Sequence, residues 1–96
     1  MIKELEIIYY KQADKFFKKH RDIRIKFEID VEKVLFNKDN PEQVNYKPLK
    51  GKFKGYSRIA IDGYRIIYKV ENGEIIIVCV HYAGSRGDIY KHLGLA

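Results

Sequence analysis

The chain is short of most of the features that announce a chemistry. It has one cysteine, Cys79, so an internal disulfide is excluded. Its three histidines, His20, His81 and His92, stand far apart with no carboxylates at ligand spacing, which leaves a metal-dependent catalyst without a ligand set. There is no glycine loop followed by Lys-Ser or Lys-Thr to cradle a nucleotide phosphate. No apolar run approaches the roughly 20 residues of a membrane span. The start, MIKELEII, lacks the apolar core and cleavage site of a secretory leader. Repeats and low-complexity tracts are missing as well. These gaps predict a single cytoplasmic domain over residues 1–96, off the membrane and without a cofactor or metal.

Acidic residues are scarce in one place. The chain carries 19 Lys and Arg against 13 Asp and Glu. From Asn45 to Val70 the cations are Lys47, Lys50, Lys52, Lys54, Arg58, Arg65 and Lys69, against Asp62 alone. Elsewhere the charges balance. Positive charge concentrated in one stretch suits a polyanion, with nucleic acid first. The plain alternative is a solvated basic rim.

What the chain does have is β-branched and aromatic sequence. Tyr56–Tyr82 reads YSRIAI-DG-YRIIYKVE-NG-EIIIVCVHY. Val, Ile and Tyr favour strands, and Asp-Gly and Asn-Gly suit two-residue hairpin turns. A three-stranded antiparallel meander is predicted. With Asp62-Gly63 as one loop, Ile61 pairs with Tyr64 and Arg58 with Ile67. With Asn72-Gly73 as the next, Glu71 pairs with Glu74 and Arg65 with Val80. Cross-strand partners share a face. One face then carries Lys54, Tyr56, Arg58, Arg65, Ile67, Lys69, Val78 and Val80, a basic surface over an apolar floor. The other carries Ile59, Ile61, Tyr64, Ile66, Tyr68, Val70, Ile75, Ile77, Cys79 and His81, and reads as the core. This register makes Cys79 a buried thiol and His81 a structural residue beside Tyr64, unless a one-residue bulge turns His81 out.

Upstream, Ile2–Tyr9 reads as a strand. Tyr10–His20 reads as a helix, with Tyr10, Ala13, Phe16, Phe17 and His20 at helical spacing. Arg21–Asn37 fits two templates. Ile23, Ile25, Phe27, Ile29 and Val31 alternate like a strand, while Ile23, Phe27, Val31, Val34 and Leu35 form a helical stripe. A run this long without Gly or Pro favours the helix, with Asp22 as N-cap and Asn37–Pro41 as the stop. Two such helices would cover the apolar sheet face. Asn37–Gly55 reads as a loop and Ala83–Asp88 as a turn. Asp88–Leu93 supports a short helix or tail.

Within this α+β fold, Lys52, Lys54, Arg58, Arg65, Arg86 and Tyr90 can converge. Each arginine offers a planar fork that matches phosphate oxygens, and Tyr56 and Tyr90 can stack on unpaired bases. Packing and solvation explain any one of them alone.

In combination, several segments resemble the RelE/ParE superfamily of small toxins from type II toxin–antitoxin pairs. They are Asn40-Pro41, the run KPLKGKFKGY from Lys47 to Tyr56, Arg58-Ile59, Asp62-Gly63-Tyr64-Arg65-Ile66-Ile67-Tyr68 and Arg86-Gly87-Asp88-Ile89-Tyr90. The resemblance implies the order strand, two-helix hairpin, three-stranded meander, and so supports the helix over Arg21–Asn37. It implies a RelE-like, metal-independent endoribonuclease that cuts messenger RNA in the ribosomal decoding site, within its 16S rRNA environment. Its inhibitor would be a cognate antitoxin protein that wraps the basic cleft. By motif position it implies Arg58, Arg65, Arg86 and Tyr90 as catalytic residues. Lys50, Lys52, Lys54, Tyr56 and Lys69 are expected to bind RNA. A ParE-like poison of DNA gyrase and a noncatalytic RNA-binding module are the rival expectations.

Overall fold

The computed structural model describes residues 4–87. Strand β1 (Leu5–Tyr9) leads into helices α1 (Lys11–Lys19) and α2 (Arg21–Phe36). Strands β2 (Asn45–Pro48), β3 (Tyr56–Ile61), β4 (Tyr64–Asn72) and β5 (Ile76–Ser85) follow. They form one five-stranded sheet in the order β1-β5-β4-β3-β2, with β1 parallel to β5 and the other pairs antiparallel. The α+β arrangement and the helical reading of Arg21–Asn37 hold.

The helices cover one face of the sheet. Ala13 and Phe17 of α1 and Ile23, Phe27 and Val31 of α2 are buried against Ile59, Ile61, Ile66, Tyr68, Val78, Val80 and Ala83. Residues 23, 27 and 31 recur every four positions, so a single stripe of α2 meets the sheet. The helix ends at Asn37, whose left-handed backbone (φ 49°) a non-glycine residue seldom adopts and Asn tolerates best. Asp22 does not cap its start. It lies within the first turn, and His20 holds the cap position without a side-chain bond.

The Asp62-Gly63 turn forms as predicted, with φ of 50° and 85°, and β3 pairs with β4 in the expected register, Ile61 opposite Tyr64 and Arg58 opposite Ile67. The second hairpin differs. Asn72 pairs with Ile76, so its loop holds the residues between them, and Gly73 takes no positive φ. The pairing slips by an odd number of residues from the two-residue turn, which exchanges the faces of β5. Val78 and Val80, expected on the basic face, lie in the core opposite Val70 and Tyr68. Ile77, Cys79 and His81, expected in the core, lie on the other side. A bulge opposite Ile67/Tyr68 then leaves His81 as the extra residue, and Ile67 pairs with Tyr82.

Two further expectations give way. The predicted loop Asn37–Gly55 contains β2, an edge strand whose residues are all exposed. Its sequence therefore shows no alternation of apolar and polar positions. Ala83–Ser85 is strand, not turn, and continues β5 past the end of β1. Gln12 takes over the role of the missing neighbour strand there. Its Nε2 donates to the Ala83 carbonyl at 2.8 Å, and its Oε1 accepts from the Ala83 N–H at 2.9 Å. One side-chain amide thus satisfies both backbone groups of a buried residue.

Candidate nucleic-acid interface

The helix-free face of the sheet is read from the register. From β3 and β4 it takes Tyr56, Arg58, Ala60, Arg65, Ile67, Lys69 and Glu71. From β5 it takes Ile77, Cys79, His81, Tyr82 and Gly84, and from β2 Asn45 and Lys47. Its floor is apolar: Ile67 and Tyr82 are buried, with Leu49 and Tyr56 packed against them. This replaces the expected floor of Ile67, Val78 and Val80. The Tyr82 ring lies along Gly84, where an added Cβ would meet it at 3.1 Å. Gly84 pairs with Arg65, so the side chain it lacks leaves room for the Tyr82 ring on the floor next to Arg65.

Arg58 and Arg65 rise from this floor on the same face. The Arg58 Nη2 donates to Asn45 Oδ1 at 2.8 Å, which ties its fork to the edge strand. The Arg65 Nη1 donates to the neighbouring Tyr64 carbonyl at 3.4 Å. In both arginines Nε is buried and meets no acceptor among the described residues. A buried donor left unmet costs about 1–3 kcal/mol.

Beside the arginines runs a chain of rings. Tyr10, at the start of α1, meets the His81 ring edge to face, with centroids 4.3 Å apart. His81 meets Tyr56 at 5.0 Å, and Tyr56 meets Phe53 at 6.3 Å. Two lysines lie over these rings, Lys69 over Tyr56 at 5.6 Å and Lys52 over Phe53 at 5.5 Å. Holding cations over aromatic faces positions their charge without neutralising it. Burial and the Lys69 ammonium lower the His81 pKa from its ordinary value.

Of the residues named from sequence, Arg58, Arg65, Tyr56 and Lys69 share this face, and Lys52 joins it through Phe53. Lys50 and Lys54 are exposed around the 3-10 turn Gly51–Phe53 that flanks the face. Arg86 is exposed one residue after β5 ends. Tyr90 and the expected Asp88–Leu93 helix lie outside the described residues. The sequence reading missed Tyr10, Lys47 and His81 as members of the face. Lys47 escaped because β2 went unseen, and His81 because the turn was taken as two residues long. No group of three or more His, Cys, Asp and Glu that could hold a metal occurs among the described residues.

A second concave region lies on the far side of the sheet. A groove of about 500 Å³ runs between β1 and α2, lined by Leu5, Ile7, Tyr9, Ile25, Glu28 and Ile29 among others. Ile25 and Ile29 are 60% and 50% exposed. Tyr9 donates to Glu28 Oε2 at 2.6 Å, and Arg24 donates to the same oxygen at 3.2 Å.

The chain matches the family model of the ParE toxin of type II toxin–antitoxin system, parDE, over residues 7–84. No curated protein matches it. Among solved structures, it is similar to YafQ from E. coli strain BL21(DE3), at 19% identity and a TM-score of 0.60, covering 91% of this chain and 99% of that one. It is similar to a chain of the RelB-RelE antitoxin-toxin complex from Methanococcus jannaschii, at 24% identity and a TM-score of 0.53, covering 88% and 96%. A YoeB/ParE toxin from Agrobacterium tumefaciens is similar at 16% identity and a TM-score of 0.54, covering 84% and 98%. At these identities the likeness establishes the shared fold.

Proposed function

Because the chain belongs to the ParE toxin family of type II toxin–antitoxin systems, within the RelE/ParE superfamily, we propose that its open basic face cuts messenger RNA without a metal. One observation carries this reading. Arg58 and Arg65 stand on the same face with both Nε donors buried and unmet. A phosphodiester offers acceptors in the geometry of a guanidinium fork, and its charge is delocalised over oxygens that the fork spans.

RNA brings its own nucleophile, the ribose 2′-hydroxyl. Cleavage needs that oxygen in line with the adjacent phosphorus, its proton removed, and the growing negative charge stabilised. Fixed positive charge and positioning supply most of this. Arg65 and Arg58 would bind the scissile phosphate. Lys50, Lys52, Lys54 and Lys69 would hold the flanking backbone, and Tyr56 would stack on a base. Arg86 would support the phosphate from the end of β5, and Tyr90 would orient the substrate. The message would be met on the ribosome, within its 16S rRNA environment. A cognate antitoxin with acidic and apolar residues would cover this face over Ile67 and Tyr82.

Mapping new 5′ ends in a translated message, with and without purified protein, tests the reading. New ends are expected with the wild type, strongly reduced by Arg65→Ala and by Tyr90→Phe. If both variants cut at the wild-type rate, the site is misplaced. The matching family description favours a second reading, a ParE-like poison of DNA gyrase. It predicts intact messages alongside gyrase-dependent DNA breaks. Salt-dependent RNA binding without either damage would leave a noncatalytic RNA-binding module.

A further inference from the structure

The inference deepens the nuclease reading and rests on it. Proton removal from the 2′-hydroxyl needs a base, and the arginines and lysines of the face are poor ones near neutral pH. Strand β5 brings a better one to the same wall. His81 follows Val80, which faces the core, so alternation turns the imidazole to the open face, and the bulge keeps Tyr82 on that face beside it. It stands next to Ile67 of β4, and Ile67 stands opposite Arg58 of β3. The backbones of His81 and Arg58 are therefore two strand spacings apart, about 10 Å. A ribose–phosphate unit lying over Ile67 spans such a gap, with the Arg58 fork released from Asn45 to meet it.

We propose that His81 is the general base of this site, taking the 2′-hydroxyl proton of an RNA phosphodiester held by Arg58 and Arg65. The balance is simple. The 2′-oxygen forms a bond to phosphorus as its proton passes to an imidazole nitrogen. The bond from phosphorus to the 5′-oxygen breaks, and water gives that oxygen a proton. The products are a 2′,3′-cyclic phosphate and a 5′-hydroxyl, and the imidazolium returns its proton to solvent.

The surroundings suit a base. The contacts of His81 among the described residues are ring edges, Tyr10 on one side and Tyr56 on the other, so its nitrogens are not committed to hydrogen bonds there. The ionisable groups that face it are Tyr10 from the start of α1, Tyr56 from β3, Lys69 from β4 and Cys79 from β5, with Glu71 of β4 beyond Tyr10. Burial and Lys69 both keep the ring neutral, the form that accepts a proton.

The test is single-turnover cleavage of message on programmed ribosomes between pH 5 and 8.5, by protein released from its antitoxin. The wild-type rate is expected to rise with pH and level off below the ordinary histidine pKa of about 6.5. His81→Gln, with its thermal midpoint checked, is expected to lose that limb and about 10²- to 10⁴-fold in rate. His81→Ala is expected to recover activity when free imidazole is added. An NMR titration of His81 in the wild type, which needs no variant, must give the same midpoint as the kinetic limb. Cleavage by His81→Gln within about 3-fold of wild type on an unchanged profile overturns the assignment alone, as does a mismatched NMR midpoint. No cleavage by the wild type at any pH overturns the nuclease reading and the assignment with it.

Discussion

On the covered side of the sheet, Ile59, Ile66, Tyr68, Val78 and Val80 are all but sealed from solvent beneath two helices. On the open side, the same strands set Arg58, Arg65, Lys69 and His81 around a floor of Ile67 and Tyr82. The first face is made of groups that gain by leaving water. The second gathers like charges and buries two donors that meet no acceptor among the described residues. A surface that forgoes local satisfaction is shaped for something that arrives later. The contrast predicts that stability and binding divide between the faces.

The largest effect should come from the covered face. Phe27 is fully buried and its ring meets Phe17 and Tyr68. Phe27→Ala should cost about 3–5 kcal/mol in urea unfolding. Arg65→Ala should be its mirror image. It removes an unmet buried donor, so unfolding should change little. RNA binding should weaken and lose about 0.7 from the slope of log K against log salt, the mark of one lost single-strand phosphate contact. An Arg65→Ala protein as unstable as Phe27→Ala would erase the distinction between the faces.

The bulged end of β5 is held from the start of α1. Tyr10 donates its backbone N–H to the Val80 carbonyl at 3.0 Å, and Gln12 takes up Ala83 two residues past His81. Gln12→Ala leaves the buried Ala83 N–H and carbonyl without their partner. It should cost about 1–3 kcal/mol and speed hydrogen exchange at the Ala83 amide. Unchanged exchange would mean that the bulge is fixed by β4 alone.

Apart from Val78 and Val80 of β5, which were placed on the basic face, the covered face was legible in the sequence because its signals are local. The Asp62-Gly63 turn fixed β3 against β4, and the stripe of Ile23, Phe27 and Val31 picked out the buried side of α2. The open face was half legible. Its arginines lie on the hairpin that was placed correctly, whereas His81 lies on the strand that was not. A loop between Asn72 and Ile76 in place of the two-residue Asn-Gly turn shifts the residues of β5 up to the bulge at His81 to the other side. The run from Ile75 to Val80 is apolar throughout, so nothing in it reports which side is buried. Lys47 was hidden for a related reason, since an exposed edge strand needs no apolar alternation.

The smallest effect concerns His81 and separates its position from its chemistry. Burial lowers its pKa in the folded protein, with the Lys69 charge adding to the same shift. The unfolded chain therefore binds more protons than the folded one between the lowered value and the ordinary one of about 6.5. Stability contributed by the neutral ring is fully present above that ordinary value and is lost as pH falls through the folded pKa. His81→Gln has no such proton to bind. The difference in urea midpoint between wild type and variant should thus drift against the wild type as pH drops below about 6.5, and be flat above it. The drift should be smaller than any change above, because the ring is only half-buried. A wild type that instead gains on the variant in acid would require a carboxylate partner for His81. That would return the ring to a structural role on the open face.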